Sequence, residues 1–349
     1  MYSDADLDAA VGAGVLSADA VTKFRAFVSG QRASPGVDEE HFRLLTGFND
    51  IFVSIAILLL LIAVGWLAHS VTSAFGGVAV AAVSWGLAEY FTRRRRMALP
   101  SILLLMGFAN AVFYTGFVLL GGFTVTVDHP SPVPTIGVPA AIAVVAVYGH
   151  WRRFMVPITP AAGCIGLVAA MVATFLSLVP AAKPFLSLFI LLGGLGVFSW
   201  AMAWDMSDPT RITRRSDVAF WLHLTAAPMM VHPAFAMLGL AGLGSYFTVA
   251  GASQTADLGA AFVAVAIYLC LAVVALIIDR RALLVSALFY VLYAISTLFR
   301  AAGSLTLSLA LTALVIGSGL LLLSAFWHSA RAVVVKGVPT GIRARLPAI

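Results

Sequence analysis

Two histidines lie in one apolar stretch of the chain, where ionisable side chains are rare. His223 and His232 both fall within residues 217–243, together with Pro228 and Pro233. An ionisable side chain inside a membrane is costly, and it usually faces the interior of a helix bundle or a watery cavity. On a regular helix the two rings would lie about 13.5 Å apart along the axis and on opposite sides, so they could not share a metal ion.

The two prolines predict that this stretch is a broken helix. Each proline deletes a backbone hydrogen bond and clashes with the preceding turn. Unwinding between them would free carbonyl groups near Thr225 and Met229 and could turn both imidazoles inward, as in the discontinuous helices of many transporters. The pattern therefore predicts a polar or protonatable site. A kinked helix whose histidines bond to neighbouring helices is an equally good interpretation.

Three further polar residues are candidates for a substrate or proton pathway, and Arg300 is a candidate for binding an anion or lipid headgroup. Glu89 is the only glutamate after residue 40, and it either relays protons or, as we favour, pairs with Arg93 one turn away. Asn110 and Tyr114 are four residues apart and share a helix face, where they either line a polar path or bond between helices. Arg300 either binds an anion or lipid headgroup, or snorkels to the membrane surface.

The remaining polar residues predict no catalytic or metal site. Asp205, Asp208, Asp217 and Asp279 lie in or beside arginine-containing turns, which predicts local ion pairs, and His150 lies at a predicted membrane edge. The chain lacks the HExxH, Walker A, CxxCH and GxSxG motifs. We therefore expect no cofactor, no metal and no catalytic residue, and an enzyme is the less favoured class.

The composition indicates the solvent in which these residues lie. Of 349 residues, 61% are hydrophobic and 10% are charged, and the mean hydropathy is +1.02. Soluble domains carry about 25% charged residues, and disordered chains are poor in apolar residues, so both classes are excluded. Cys164 and Cys270 lie in apolar runs, which argues against a disulfide framework or zinc ribbon. The sequence predicts an all-α polytopic membrane protein embedded in the lipid bilayer.

Apolar runs long enough to cross a bilayer occur ten times, since a span needs about 20 residues. The predicted spans cover residues 51–69, 72–92, 99–122, 136–151, 156–179, 184–204, 217–243, 257–278, 282–299 and 303–327. Several pairs of spans meet at short basic turns, which indicates either duplication of a helical hairpin or only the usual enrichment of basic residues in cytoplasmic loops.

The basic residues predict the orientation of these spans. Of the 21 lysines and arginines, all but Lys183 and Arg300 fall in one set of loops, so both termini are predicted to be cytoplasmic. The net charge of +6 therefore reflects membrane edges and not nucleic-acid binding. The acidic opening YSDADLDAA lacks an apolar core, which predicts no cleavable signal peptide.

The sequence divides into three predicted domains, residues 1–48, 49–330 and 331–349. The first is predicted to be a cytoplasmic helical hairpin, with caps at Ser3 and Ser17 and ends at Gly14 and Gly30, that can dock a protein partner. The second is the transmembrane bundle, and the third is a basic cytoplasmic tail.

The opening segment DLDAAVGAGVLSADAVTKFRAFV, followed by a charged linker and many spans, carries a resemblance. It resembles a group of uncharacterised bacterial inner-membrane proteins that begin with a short cytoplasmic helical segment. The resemblance implies a bacterial origin and the inner membrane, and it implies no activity.

Three functions are compatible with these patterns. The leading hypothesis is a transporter-like or permease-like protein with a solute or proton pathway beside the seventh span. The alternative is a non-transporting scaffold or accessory subunit, which predicts packed, dry histidines and docks a partner through residues 1–48. The third is a membrane-embedded lipid enzyme or metal protein, which requires a second polar cluster facing His223.

Overall fold

The computed structural model describes residues 4–32, 48–122, 133–208, 211, 213–237, 258–301, 308–343 and 346. Within these ranges the chain is helical and contains no β-strand. It divides into two units, Met1–Thr46 and Gly47–Ile349. The all-α prediction is confirmed for the described residues.

The first unit contains helices α1 (Asp4–Gly12) and α2 (Ala18–Arg32). The predicted cap at Ser17 is present, since its Oγ accepts a hydrogen bond from the backbone N–H of Ala20 at 3.1 Å. Gly14 adopts a φ of 71°, which suits the end of a helix. The predicted stop at Gly30 is wrong: α2 continues to Arg32, because one glycine costs a helix only about 1 kcal/mol. Ser3 lies outside the described residues.

The second unit begins with a series of long helices. They are α3 (Phe48–His69), α4 (Ser73–Ala88) with a π-helical turn (Glu89–Arg94), α5 (Ala98–Leu119), α6 (Val133–Phe154), α7 (Thr159–Leu178) and, after a 3₁₀ turn (Pro180–Phe185), α8 (Leu186–Met206).

The chain continues through the elements that carry most of the candidate residues. They are α9 (Arg214–Met237), α10 (Leu258–Ile278), α11 (Ala282–Ala301), α12 (Ser308–Ala325), α13 (Trp327–Lys336) and α14 (Thr340–Arg343). The packing is densest within successive hairpins, which pair α4 with α5, α6 with α7, α8 with α9 and α10 with α11.

Six of the described helical segments are long and apolar enough to cross a membrane. They are Phe48–His69, Ser73–Arg94, Ala98–Leu119, Thr159–Leu178, Pro180–Met206 and Ala261–Ile278. A seventh candidate is the pair Ala310–Ala325 and Trp327–Lys336, which is bent by 76°. The protein is therefore a multi-pass membrane protein. Each of the ten predicted spans overlaps a described helix, but α6, α9 and α11 do not meet the same standard of length and composition, and α12 meets it only together with α13.

Helix α9 is continuous through Pro228 and Pro233, so the unwinding expected between the prolines is absent. Pro233 deprives the Met229 carbonyl of its usual donor, and α8 packs closely against that carbonyl. A Cβ atom on Gly194 would lie 2.9 Å from Met229 O. Prolines are tolerated in membrane helices when neighbouring helices pack around the freed backbone groups, and the small Gly194 permits this close approach.

Four turns between paired helices share an unusual backbone feature. Arg96, Met155, Arg211 and Asp279 each have a φ of 54–58°, a left-handed conformation that glycine usually adopts at helix ends. Each lies in the turn of one hairpin: α4–α5, α6–α7, α8–α9 or α10–α11. We call the end of the bundle that carries these turns the basic end.

Candidate functional site

A buried ion cluster at the basic end brings together Asp205, His223 and Arg280. Their side chains are 4%, 0% and 3% exposed. Asp205 Oδ2 lies 2.9 Å from His223 Nε2 and 3.2 Å from Arg280 Nε, and Asp205 Oδ1 accepts a second hydrogen bond from Arg280 Nη2 at 2.5 Å. The carboxylate therefore accepts two hydrogen bonds from the guanidinium of Arg280. It also shares a hydrogen bond with the imidazole of His223.

Two helices and one turn position this triad. Asp205 lies in the last turn of α8, His223 lies on α9 and Arg280 follows the left-handed Asp279 in the α10–α11 turn. The ring of Phe198 packs edge-on against His223 at 5.3 Å between centroids. Arg280 Nη2 also donates to the Ser216 carbonyl at 3.4 Å, which connects the triad to the first turn of α9.

The triad has the chemical parts of a proton-binding site. With Asp205 ionised, His223 Nε2–H donates to the carboxylate, and the ring keeps a lone pair on Nδ1. His223 Nδ1 is buried and makes no hydrogen bond among the described residues. A buried ring nitrogen without a partner is unusual, and one explanation is a group that exchanges protons.

A second ion cluster lies next to the triad and centres on Asp279. Asp279 Oδ2 accepts from Arg211 Nη1 at 2.8 Å, and Oδ1 accepts from the Trp327 indole N–H at 2.7 Å. Arg211 also donates to the carbonyls of Ile278 and Asp279, and Arg331 Nε lies 3.8 Å from Oδ1. This cluster joins the α8–α9 turn, the α10–α11 turn and α13.

The environment of Asp279 favours its charged form. Burial alone would raise the pKa of this carboxyl group. The hydrogen bond from Trp327 and the positive charges of Arg211 and Arg331 outweigh burial and hold the pKa below its usual value.

The four aspartates were predicted to form local ion pairs, and two of them pair over long distances in sequence instead. Asp205 pairs with Arg280 and Asp279 pairs with Arg211, in each case between different hairpins. Asp208 Oδ2 instead accepts hydrogen bonds from the backbone N–H and the hydroxyl of Thr213, at 2.9 and 2.6 Å, next to the start of α9. Spacing along the chain could not reveal pairs that only tertiary packing creates.

His223 and His232 do not belong to one site. His232 is exposed on α9, and its Nδ1 lies 2.5 Å from the Tyr290 hydroxyl group on α11. Tyr290 in turn stacks on Phe235, with 4.0 Å between ring centroids. His232 therefore forms a separate polar contact between α9 and α11.

Glu89 pairs with arginines, as the favoured interpretation expected. Its carboxylate contacts Arg93 Nη1 at 3.3 Å, and Arg153 on α6 through Nε and Nη2 at 2.6 and 3.0 Å. The pair with Arg153 was not predicted. It links α6 to the π-helical turn that carries Glu89.

Asn110 and Tyr114 lie on α5, a helix that contributes no residue to the triad. Asn110 is exposed and donates to the Met106 carbonyl of its own helix at 2.8 Å, and Tyr114 is half-buried one turn further along α5. The side chain of Arg300 lies outside the described residues.

Sequence reasoning missed the burial of His150. This residue was placed at a membrane edge, yet its side chain is 1% exposed and lies among the rings of Trp85, Phe108 and Phe154. Neither ring nitrogen has a hydrogen-bond partner in the described part of the chain. The sequence shows aromatic residues on three predicted helices, which could have indicated an aromatic environment for His150. It does not show that these side chains meet.

Among the residues that the structure describes, no group of three or more histidine, cysteine, aspartate or glutamate side chains could hold a metal ion. The triad combines only one carboxylate and one imidazole with a guanidinium, which is a poor set of ligands for a cation. Its arrangement suits proton exchange or an ion-pair switch better.

Comparison with known proteins adds no family to these observations. No family model matches the chain, and neither a curated protein nor a solved structure matches it. The firm description is a multi-pass helical membrane protein with a buried Asp205–His223–Arg280 triad.

Proposed function

We propose that the protein is a transporter-like or permease-like protein of the bacterial inner membrane. In this proposal the chain crosses the membrane ten times, with both termini in the cytoplasm. The basic end then faces the cytoplasm, and a proton, alone or with a small solute, moves along α9. Asp205 and His223 form the proton-binding pair, and His232 with Tyr290 forms a second polar point on the same helix.

One observation carries this proposal: a carboxylate and an imidazole share a buried contact between helices at the end of a membrane-spanning segment. Burying charged groups costs several kcal/mol each, and apolar residues of similar volume usually stabilise a bundle at least as well. A charged group retained inside a membrane protein is therefore a functional candidate.

The repeated turns supply an internal comparison. After a left-handed residue, the next position normally makes an apolar contact with the helix that just ended. Met97 and Val156 occupy that position in the α4–α5 and α6–α7 turns and are buried, whereas Arg280 occupies it in the α10–α11 turn. The turn itself does not require a charge, so the presence of Arg280 supports a role beyond helix packing.

Proton flux into liposomes tests this proposal. Purified protein is reconstituted in vesicles loaded with a pH-sensitive dye, and a potassium diffusion potential, negative inside, drives proton entry. We expect wild-type protein to admit protons faster than protein-free vesicles, and Asp205→Asn to reduce the flux to the protein-free level. Asp19→Asn, in the first unit, should keep the wild-type flux.

Loss of folding must be separated from loss of function, because Asp205→Asn leaves Arg280 without its charge partner. The double variant Asp205→Asn/Arg280→Met removes both charges and should also lack flux while remaining folded. A wild-type flux equal to that of protein-free vesicles would contradict the proposal, as would wild-type flux in both variants.

A scaffold or accessory subunit is the second candidate, favoured by the complete burial of His223. It predicts that water does not reach α9. The test uses His232→Cys in a protein that also carries Cys164→Ala and Cys270→Ala. If the protein is a transporter, this cysteine should react with a membrane-impermeant thiol reagent added to at least one side of the membrane. The scaffold function predicts no reaction in intact or inverted vesicles, and partners should then be sought for residues 1–46.

A further inference from the structure

Helix α13 packs at the basic end of the bundle and does not continue the helix before it. One residue separates it from the end of α12, and its axis is bent by 76° from that of α12. Helix α12 has 18 residues and none of them is charged, which is close to the length of about 20 apolar residues that a membrane span needs, so we take its axis as close to the membrane normal. Helix α13 therefore runs nearly parallel to the membrane plane.

The inner face of α13 is fixed to the protein. Trp327, Arg331 and Val335 are spaced four residues apart on one helix face and are 2%, 1% and 1% exposed. The Trp327 indole donates to Asp279, and the Arg281 guanidinium lies 4.8 Å from the Trp327 ring centroid. These contacts set the rotation of α13 about its own axis.

That rotation leaves a mixed apolar and basic face pointing outward. Phe326 and Val333, seven residues apart, are 61% and 70% exposed. Lys336 is exposed one turn after Val333 on the same side, and His328 is exposed near the start of the helix. Apolar side chains beside a lysine on a helix in the membrane plane are typical of interfacial helices.

We propose that α13 is an interfacial helix that binds anionic phospholipid. Phe326 and Val333 enter the boundary between headgroups and acyl chains, and Lys336 contacts negatively charged headgroups. Charge complementarity supports this occupant, because the negative potential of an anionic membrane surface attracts juxtamembrane lysine and arginine side chains. Arg214 and Arg215 are also exposed at the basic end. The proposal does not depend on whether the protein transports anything.

Fluorescence quenching tests the depth of α13. In the protein with Cys164→Ala and Cys270→Ala, Val333→Cys carries an environment-sensitive dye and is reconstituted in vesicles that contain 30% phosphatidylglycerol in phosphatidylcholine. We expect strong quenching by lipids spin-labelled near the headgroup and little quenching by aqueous iodide. The reference is Val15→Cys in the first unit, where the exposed side chain should show the opposite pattern. Iodide quenching of Val333→Cys as strong as that of a water-soluble dye adduct would overturn the proposal.

The charge requirement is tested separately in the same labelled protein. Lipid quenching should be stronger with phosphatidylglycerol than in pure phosphatidylcholine, and Lys336→Glu should remove that difference. Lys23→Glu, an exposed lysine of the first unit, should leave it unchanged. Equal quenching in both lipid mixtures would overturn the anionic-lipid assignment. So would a difference that inorganic phosphate reproduces in phosphatidylcholine vesicles.

Discussion

Arg280 occupies the position after a left-handed residue where two other turns of the bundle carry Met97 and Val156. In those turns the apolar side chain is buried. Arg280 instead sends its guanidinium to Asp205, and Asp205 reaches His223. At the scale of single residues, the triad is therefore a set of interdependent charges.

This interdependence predicts a strong asymmetry between single and double variants. Asp205→Leu leaves Arg280 buried without its main charge partner, which should lower the free energy of unfolding by about 3–5 kcal/mol. Asp205→Leu/Arg280→Met removes both charges and places at 280 the residue found at 97, so most of the loss should be recovered. Thermal unfolding in detergent measures both effects. An equal loss of unfolding free energy in the single and double variants would contradict the dependence of Arg280 on Asp205.

Helices α8 and α9 are held together by close backbone packing as well as by charge. Pro233 leaves the Met229 carbonyl without its usual helical donor, and Gly194 is the residue of α8 that lies against it. The sequence showed both prolines and the glycine. The prolines led to the expectation of a broken helix, because the hydrogen bond that a proline removes can be read from the local sequence. The neighbouring helix that stabilises α9 at this point cannot be read from it.

Two glycines of α8 provide a matched pair of substitutions. A Cβ at Gly194 would lie 2.8 Å from the Met229 carbonyl carbon, whereas a Cβ at Gly196 would have no heavy atom within 4 Å. Because backbone cannot rotate away, we expect Gly194→Ala to cost about 1–3 kcal/mol of stability. Gly196→Ala should be neutral or stabilise by up to about 1 kcal/mol through helix propensity. The melting temperatures of the two variants measure this difference. Equal shifts in both would contradict the close packing at Gly194.

At the scale of the whole molecule, hydropathy predicted the membrane class and the helices, but not how their ends connect. The ten predicted spans overlap described helices, and six of those segments, or seven with the bent pair, are long and apolar enough to cross a bilayer, which demands about 20 apolar residues with internally bonded backbone. His223 was also identified, since a histidine at that depth is exceptional. Its partners were not identified, because Asp205 and Arg280 are 75 residues apart in sequence and were assigned to separate basic turns. Depth can be predicted from composition, whereas pairing depends on tertiary packing.

Asp279 links the α8–α9 hairpin, the α10–α11 hairpin and α13, so its ionisation should affect the stability of the whole bundle. Its pKa is lowered in the folded protein, so the unfolded chain binds its proton at a higher pH than the folded one. The stabilisation is therefore complete above the unfolded pKa of about 3.9 and is lost as pH falls through the folded pKa.

Asp279→Asn keeps the left-handed backbone that asparagine tolerates but removes the charge. We expect this variant to melt at a lower temperature than wild type at pH 6–7, and the difference to shrink as pH falls below about 4. Melting curves across that range measure the difference directly, with Asp19→Asn as the control for an exposed aspartate. A difference that stays constant with pH would mean that the charge of Asp279 does not hold the three elements together.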